Sequence, residues 1–266
     1  MLVKVCGGCF FSFIFMLYSP MNIFYHIGQY FMLIRKVFQR PEKINIYTQQ
    51  VVKELDKLGL QSLGIVSIIS FFMGAVITIQ TASSLDNALV PLYTIGYATR
   101  QSIILELAPT IIALILAGKV GSNIASEIGT MRVTEQIDAL EIMGINSAAY
   151  LIMPKIIAAV LIIPFLIILA MFIGISGGFI AGTLTGASPT ADFIIGLQYD
   201  FDPFSVTYAL IKTLFFAFVI TSIPAYHGYY TKGGALEVGR SSTKGVVYSS
   251  IVILILNYVL TQLLLL

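Results

Sequence analysis

Glu106 and Lys212 are ionisable residues set inside apolar blocks, in Leu105-Glu-Leu-Ala-Pro109 and Ile211-Lys-Thr213. In a membrane-type helix a charge costs several kcal/mol unless it meets a partner or water, so each is a functional candidate by default. Both fall at a comparable depth from the same end of their blocks, which makes each a candidate partner for the other. Two readings stand: an ion pair that locks two helices, or a polar patch at the mouth of a cavity that holds the head group of an amphiphile. Arg100, just before Glu106, and Gln80, in the preceding block, extend this intramembrane polar set. Asn257 and Gln262 are weaker markers, of a kind that more often joins helices to one another.

Other chemistry has thinner support. Gly174-Ile-Ser-Gly177 matches the short Gly-x-Ser-Gly pattern of intramembrane serine proteases, with His227 as the obvious base. Nucleophile and base must approach within about 3 Å. At a rise of about 1.5 Å per residue, Ser176 falls near the outer surface and His227 at the cytoplasmic end of its own block, in opposite leaflets. Cys6 and Cys9 form a Cys-Gly-Gly-Cys pair, but a thioredoxin-type strand and helix are missing, and so are two further metal ligands of the usual spacing. No Gly-x-x-x-x-Gly-Lys-Ser/Thr occurs, so any ATP hydrolysis must belong to another chain. The glycine-rich, basic stretch Gly228 to Lys244 is either a phosphate nest or a turn packed on neighbouring helices.

The elements that position these residues follow from composition. The chain has 266 residues, 58% hydrophobic and 11% charged, with a mean hydropathy of +0.92. Soluble domains carry about a quarter charged residues, so this is an integral membrane protein. Apolar blocks of about 20 residues fit helices crossing a hydrocarbon core, not barrel strands of about 10. A net charge of +2, with no basic run interleaved with aromatics, gives no sign of nucleic acid. Residues 1 to 20 stand as an N-terminal extension, either a leader or sequence preceding a start at Met21. Residues 21 to 266 read as one domain without internal repeats.

Residues 21 to 40, rich in aromatics and ending in Arg35, Lys36 and Arg40, read as an amphipathic helix at the membrane interface. Residues 42 to 59 form a polar elbow that ends at Gly59. Spans follow at about 61 to 82, 99 to 120, 148 to 176, 205 to 227 and 245 to 266. Lys53, Lys57, Lys119, Arg132, Lys155, Lys232, Arg240 and Lys244 join the N-terminal basic residues on one side of the membrane. Asp86, Asp192, Asp200 and Asp202 lie on the other, with Arg100 and Lys212 near it. The positive-inside rule then places the N-terminus in the cytoplasm and the C-terminus outside. The third block is long enough to tilt, or to begin as an interfacial piece, with Pro154 and Pro164 able to kink it. Gly174, Gly178, Gly182 and Gly186 recur on one stripe, a spacing that lets helix backbones approach within the chain or at a subunit interface.

Between the second and third blocks, residues 121 to 144 carry dense charge of both signs. They read as a short amphipathic helix outside the membrane, started by Ser126 or Thr130 and stopped by Gly144. Val133, Ile137 and Leu140 would share one face and Glu127, Glu135 and Asp138 the opposite one. Such a helix suits docking of a partner, against the plainer reading of a solvated connector.

Glu127-Ile-Gly-Thr-Met-Arg-Val-Thr-Glu-Gln-Ile-Asp-Ala-Leu-Glu-Ile-Met-Gly144 closely resembles the signature of the MlaE/YrbE permease family. Ala117-Gly-Lys-Val-Gly-Ser122 before it, Tyr150-Leu-Ile-Met-Pro-Lys155 after it and Gly233 to Val247 add to the likeness, which runs from about residue 21 to the end. The resemblance implies an all-α integral membrane protein with an N-terminal interfacial helix, five transmembrane helices and a cytoplasmic coupling helix between the second and third. It further implies an ABC transporter permease that moves phospholipids between the inner and outer membranes. Two copies would work with an ATPase subunit pair and an outer assembly of MCE-domain proteins, with no cofactor, in the inner membrane of a double-membraned bacterium. The segment matching residues 123 to 144 would lie in the ATPase groove, giving coupling roles to Glu127, Thr130, Met131, Arg132, Glu135, Gln136, Asp138 and Glu141. A lipid-sized apolar space between the copies would be lined by the first, second and fifth spans, near Gln80, Arg100, Glu106 and Lys212. The family often has Arg-Glu-Leu-Gly-Pro where this chain has Leu105 to Pro109, and an Asp where it has Asn257.

Overall fold

A computed structural model describes residues 20–39, 44–85, 91–186 and 188–265, and among these residues all regular structure is helical. The pair Cys6 and Cys9, with the rest of the N-terminal extension, lies outside the described residues, as do Arg40, Lys43 and Asp86. Helix α1 (Pro20–Phe38) is amphipathic. It buries Leu33 and Val37 while Phe24, Phe31, Met32 and Phe38 stay exposed. Its buried side is pinned to the fourth span by Tyr30 Oη to Ser222 Oγ at 2.8 Å and by His26 Nδ1 to Tyr226 Oη at 2.7 Å.

Five helical rods are long and apolar enough to cross a membrane. The first joins α2 (Ile44–Leu55), a π-helical turn at Asp56–Leu60 and α3 (Gln61–Ser84). The elbow therefore does not stop at Gly59. That glycine is buried in the π-turn, where a side chain would collide with Ile162. The second rod contains α4 (Tyr93–Ser102), a π segment at Ile103–Ile111, α5 (Ile112–Leu116), a second π segment at Ala117–Gly121 and α6 (Ser122–Val133). Pro109 sits inside the first π segment. A proline has no N–H for an α-helical ladder, and a widened turn is one way a helix absorbs that loss.

The sequence suggests one helix across residues 121 to 144, but the structure divides it. Helix α6 is the end of the second rod, and α7 (Gln136–Ile142) is separate. The break is at Glu135, whose φ of 60° is left-handed. Glu127 and Glu135 thus belong to different helices and share no face. Helix α7 does end at Gly144, with φ 79°. Gly144 N–H bonds to the Glu141 carbonyl and Ile145 N–H to the Leu140 carbonyl, the paired bonds of a Schellman stop. Asn146 then caps α8 (Ser147–Leu184) by accepting from Ala149 N–H at 3.3 Å. Its amide nitrogen donates to the carbonyls of Lys36 and Gln39, tying down the end of α1.

Helix α8 is one 38-residue element that contains both Pro154 and Pro164. Its glycines meet the first span. A side chain on Gly74 would overlap the Gly174 carbonyl, one on Gly177 would overlap the Phe71 carbonyl, and one on Gly178 would strike Thr78. Gly182 lies against Thr78 and Ser188. Gly186 departs from the stripe: it has φ 69°, nothing near its absent side chain, and ends the helix.

Short helix α9 (Thr190–Gln198) packs on α4, with Gly96 and Gly196 in backbone contact. Helix α10 (Phe204–Tyr229) is the fourth span and α11 (Ala235–Leu265) the fifth. Because α11 starts at Ala235, the stretch 228 to 244 is mostly helix, and its non-helical part shrinks to residues 230–234, leaving no extended glycine-rich loop to cradle a phosphate. Gly129 of α6 nestles against Val238 and Thr231, and Gly228 against the Ala125 backbone, so α6 is gripped by the ends of α10 and α11.

Candidate functional site

Glu106 and Lys212 meet, with Oε1 to Nζ at 2.8 Å. Lys212 is fully buried whereas the Glu106 side chain is 42% exposed, so the pair shows only its acid. The ammonium also lies 3.4 Å from the Leu105 carbonyl and 4.4 Å from the centre of the Tyr208 ring. A buried ammonium needs such company, since attraction to one carboxylate alone does not reliably offset its desolvation.

Around the carboxylate stands a second set of donors. Asn257 Nδ2 donates to Oε2 at 3.0 Å, and Thr110 Oγ1 lies 3.4 Å from the same oxygen. Thr261 Oγ1 lies 3.3 Å from Oε1, and Tyr208 Oη bonds to Thr261 at 2.9 Å. Each threonine hydroxyl has a competing acceptor, the Asn257 side-chain oxygen for Thr110 and the Asn257 carbonyl for Thr261. One proton serves one acceptor at a time, so each threonine can shift its hydrogen bond between Glu106 and Asn257. The cluster joins the second, fourth and fifth spans, and each contributes residues four apart: Glu106 and Thr110, Tyr208 and Lys212, Asn257 and Thr261. Residues four apart share a helix face. That spacing was the available signal for Thr110, Tyr208 and Thr261, which sequence reasoning passed over.

Gln80 and Arg100 do not join this cluster. Gln80 is on the exposed face of the first span. Arg100 is buried and donates to the carbonyls of Leu197, Tyr199 and Asp200 at 2.7 to 3.1 Å, holding the end of α9. Ser176 donates to the Ile173 carbonyl, while His227, at the far end of α10, stacks on Tyr248 with centroids 5.2 Å apart. Serine and histidine are committed to different neighbours at opposite ends of the bundle, and no nucleophile-base pair forms.

At the other end of the second rod the charged segment is largely paired with its own chain. Glu127 accepts from Lys57 at 2.9 Å and Lys155 at 3.1 Å, and Lys155 also reaches Glu54 at 2.6 Å. Arg132 pairs with Asp138 at 2.6 Å. Glu141 Oε1 accepts from Tyr229 and Ser147, each at 2.9 Å. Burial works to raise the Glu141 pKa, but these two hydrogen bonds and the charges of Arg132 and Lys36 prevail and hold it below the usual carboxylate value. Met131 packs on the core. Thr130, Glu135 and Gln136 face outward.

Five rods long and apolar enough to cross a membrane, joined in part through the half-buried pair of Glu106 and Lys212, are the architecture of an α-helical integral membrane protein. Residues 51–263 match the family model described as Permease MlaE. A probable ABC transporter permease protein of Rickettsia bellii is 38% identical over 218 residues, 82% of this chain and 84% of that one. One from Synechocystis sp. is 37% identical over 234 residues, covering 88% of each. The intermembrane phospholipid transport system permease protein MlaE of Haemophilus influenzae is 32% identical over 232 residues, 87% of this chain and 88% of its own. The chain belongs to the MlaE family of ABC transporter permeases.

Proposed function

We propose that the chain moves phospholipids between an inner and an outer membrane, as the permease of a transporter energised by a separate ATPase subunit. The observation that carries this reading is the half-open Glu106 cluster in an otherwise apolar wall. Apolar rods suit acyl chains, and a few convergent polar groups suit a head group. With Lys212 buried behind it, the open side offers a carboxylate, an amide and hydroxyls, a surface for the amine or hydroxyl groups of a lipid head. The printed name of the Haemophilus influenzae relative supports the same substrate.

The fifth span supports a pair of permeases side by side, since only 11% of its apolar stretch is buried in one chain. Ile251, Leu254, Ile255 and Tyr258 are left for lipid or a second copy. The exposed Thr130, Glu135 and Gln136, with α7 beneath the bundle, form the surface that an ATPase groove would take as a coupling element, in a cytoplasm on the basic side. MCE-domain proteins would meet the opposite, acidic side, in an inner membrane.

The test is ATP-dependent transfer of labelled phospholipid between proteoliposomes carrying the permease and its co-purified ATPase. The double variant Glu106→Gln/Lys212→Met removes both charges without stranding either. Transfer should fall about tenfold while ATPase association persists. Unchanged transfer would reduce the cluster to a helix lock and remove the support for a head-group site.

A further inference from the structure

The second rod is held by charge twice, at Glu106 and again at Glu127 near its far end. At the other end, Lys155 is 5% exposed and sits between Glu54 at 2.6 Å and Glu127 at 3.1 Å. Lys57 reaches Glu127 from the π-turn that joins the elbow to the first span. One carboxylate on α6 therefore holds the first rod and the third span together. On its other side α6 is packed against the ends of α10 and α11. A displacement of α6 thus has two outlets, one through close packing and one through ion pairs.

The ionic outlet has room to move. A gap of about 160 Å³ lies beside it, lined by Gln50, Lys53, Glu54, Glu127 and Lys155 among others. Glu54 Oε2 and Gln50 Oε1 are buried there without hydrogen-bond partners. An unpaired buried carboxylate oxygen is costly, so it is a ready second seat for an ammonium. Lys57, 46% exposed and placed in a widened helical turn, is the arm best able to exchange.

We infer that the Glu54, Lys57, Glu127 and Lys155 network is a transmission joint, which carries displacement of the segment beneath the bundle into the first and third spans by shifting its ion pairs. This rests on the proposed coupling of that segment to an ATPase. The joint makes these side chains positioning residues.

The experiment uses the permease with its ATPase in proteoliposomes of phosphatidylethanolamine and phosphatidylglycerol, with Cys6 and Cys9 replaced by serine. ATP hydrolysis, phospholipid transfer and thiol labelling of Val76→Cys on the exposed face of the first span are read together. Lys57→Gln should leave assembly and hydrolysis within about twofold, lower lipid moved per ATP about fivefold, and abolish the ATP-dependent change in labelling. Inverting all four charges, Glu54→Lys, Lys57→Glu, Glu127→Lys and Lys155→Glu, should restore coupling to within about twofold. Unchanged transfer per ATP and unchanged labelling in Lys57→Gln would overturn the joint, as would loss of the ATPase from the complex or failure of the inverted set to recover. If the unsubstituted complex moves no phospholipid but ATP still alters labelling at Val76→Cys, and Lys57→Gln removes that response, the transport reading fails and the joint stands.

Discussion

Neutralising the two halves of the intramembrane pair should give unequal losses, and the inequality follows from their burial. Glu106→Gln leaves Lys212 fully buried and charged, with only neutral acceptors beside it: the Leu105 carbonyl, the Tyr208 ring and the new amide oxygen. Breaking a buried pair in this way costs about 3 to 5 kcal/mol. Lys212→Met instead leaves a carboxylate that is 42% exposed and still accepts from Asn257. Its penalty should be only about 1 to 2 kcal/mol, near that of a weakened hydrogen-bond set. The double variant strands no charge and should also cost about 1 to 2 kcal/mol, so the coupling between the sites is about 3 to 5 kcal/mol. Denaturant unfolding of the purified variants in detergent reads all four states, with constant slopes confirming that the midpoint shifts report stability. Lys212→Met proving as damaging as Glu106→Gln, or a double variant equal to the sum of the singles, would refute the claim that burial of the ammonium sets the balance.

Other consequences are open to simpler measurements. Gly174→Leu would crowd Ile103 and the Ser70 carbonyl, and Gly178→Leu the Thr78 side chain and the Gly74 carbonyl; each should lower the melting temperature sharply, with a loss of about 3 kcal/mol or more of stability. Gly186→Ala meets no neighbour, so its left-handed φ should limit the cost to about 1 kcal/mol. Because the Glu141 pKa is depressed, its share of stability is present above the ordinary carboxylate value of 4.5 and is lost as pH falls through the lower folded value. Glu141→Gln should therefore flatten the acid limb of a melting-temperature profile, and an unchanged limb would show that the Tyr229 and Ser147 bonds carry no such linkage. For orientation, thiol labelling in intact cells should reach Ala191→Cys and Gln198→Cys on α9 but not Gln136→Cys or Leu236→Cys, and the reverse pattern would overturn the positive-inside argument. A pull-down with Glu135→Lys/Gln136→Lys should recover far less ATPase, because both side chains point outward.

What could be read from the chain alone depended on whether a residue's type was at odds with its surroundings. Glu106 and Lys212 announce themselves as charges in apolar blocks, and the structure joins them. Thr110, Tyr208 and Thr261 are ordinary in a membrane helix, so only their spacing of four residues beside Glu106, Lys212 and Asn257 marks them. Gly59 was legible as a stop, because glycine ends helices, yet its place is fixed by contact with Ile162 from a span about 100 residues away in sequence. Local rules hold no information about that neighbour. The break at Glu135 is harder still: glutamate is no marker of left-handed backbone, so sequence pattern alone carries a helix through it and sets Glu127 and Glu135 on one face. Once they are separated, Glu127 belongs with Glu106 as the second acid of one rod. The two lie about 30 Å apart at about 1.5 Å per residue, near the thickness of a hydrocarbon core. Glu106 ties that rod to the fourth and fifth spans, and Glu127 ties it to the first and third. Two π segments lie on the rod between these anchors or around them, where a helix can take up a change in register without losing its ladder. A helix held at both ends by different partners, and widened along its length, can let one end shift while the other keeps its grip, which is the property a permease needs if events beneath the membrane are to reach a head group within it.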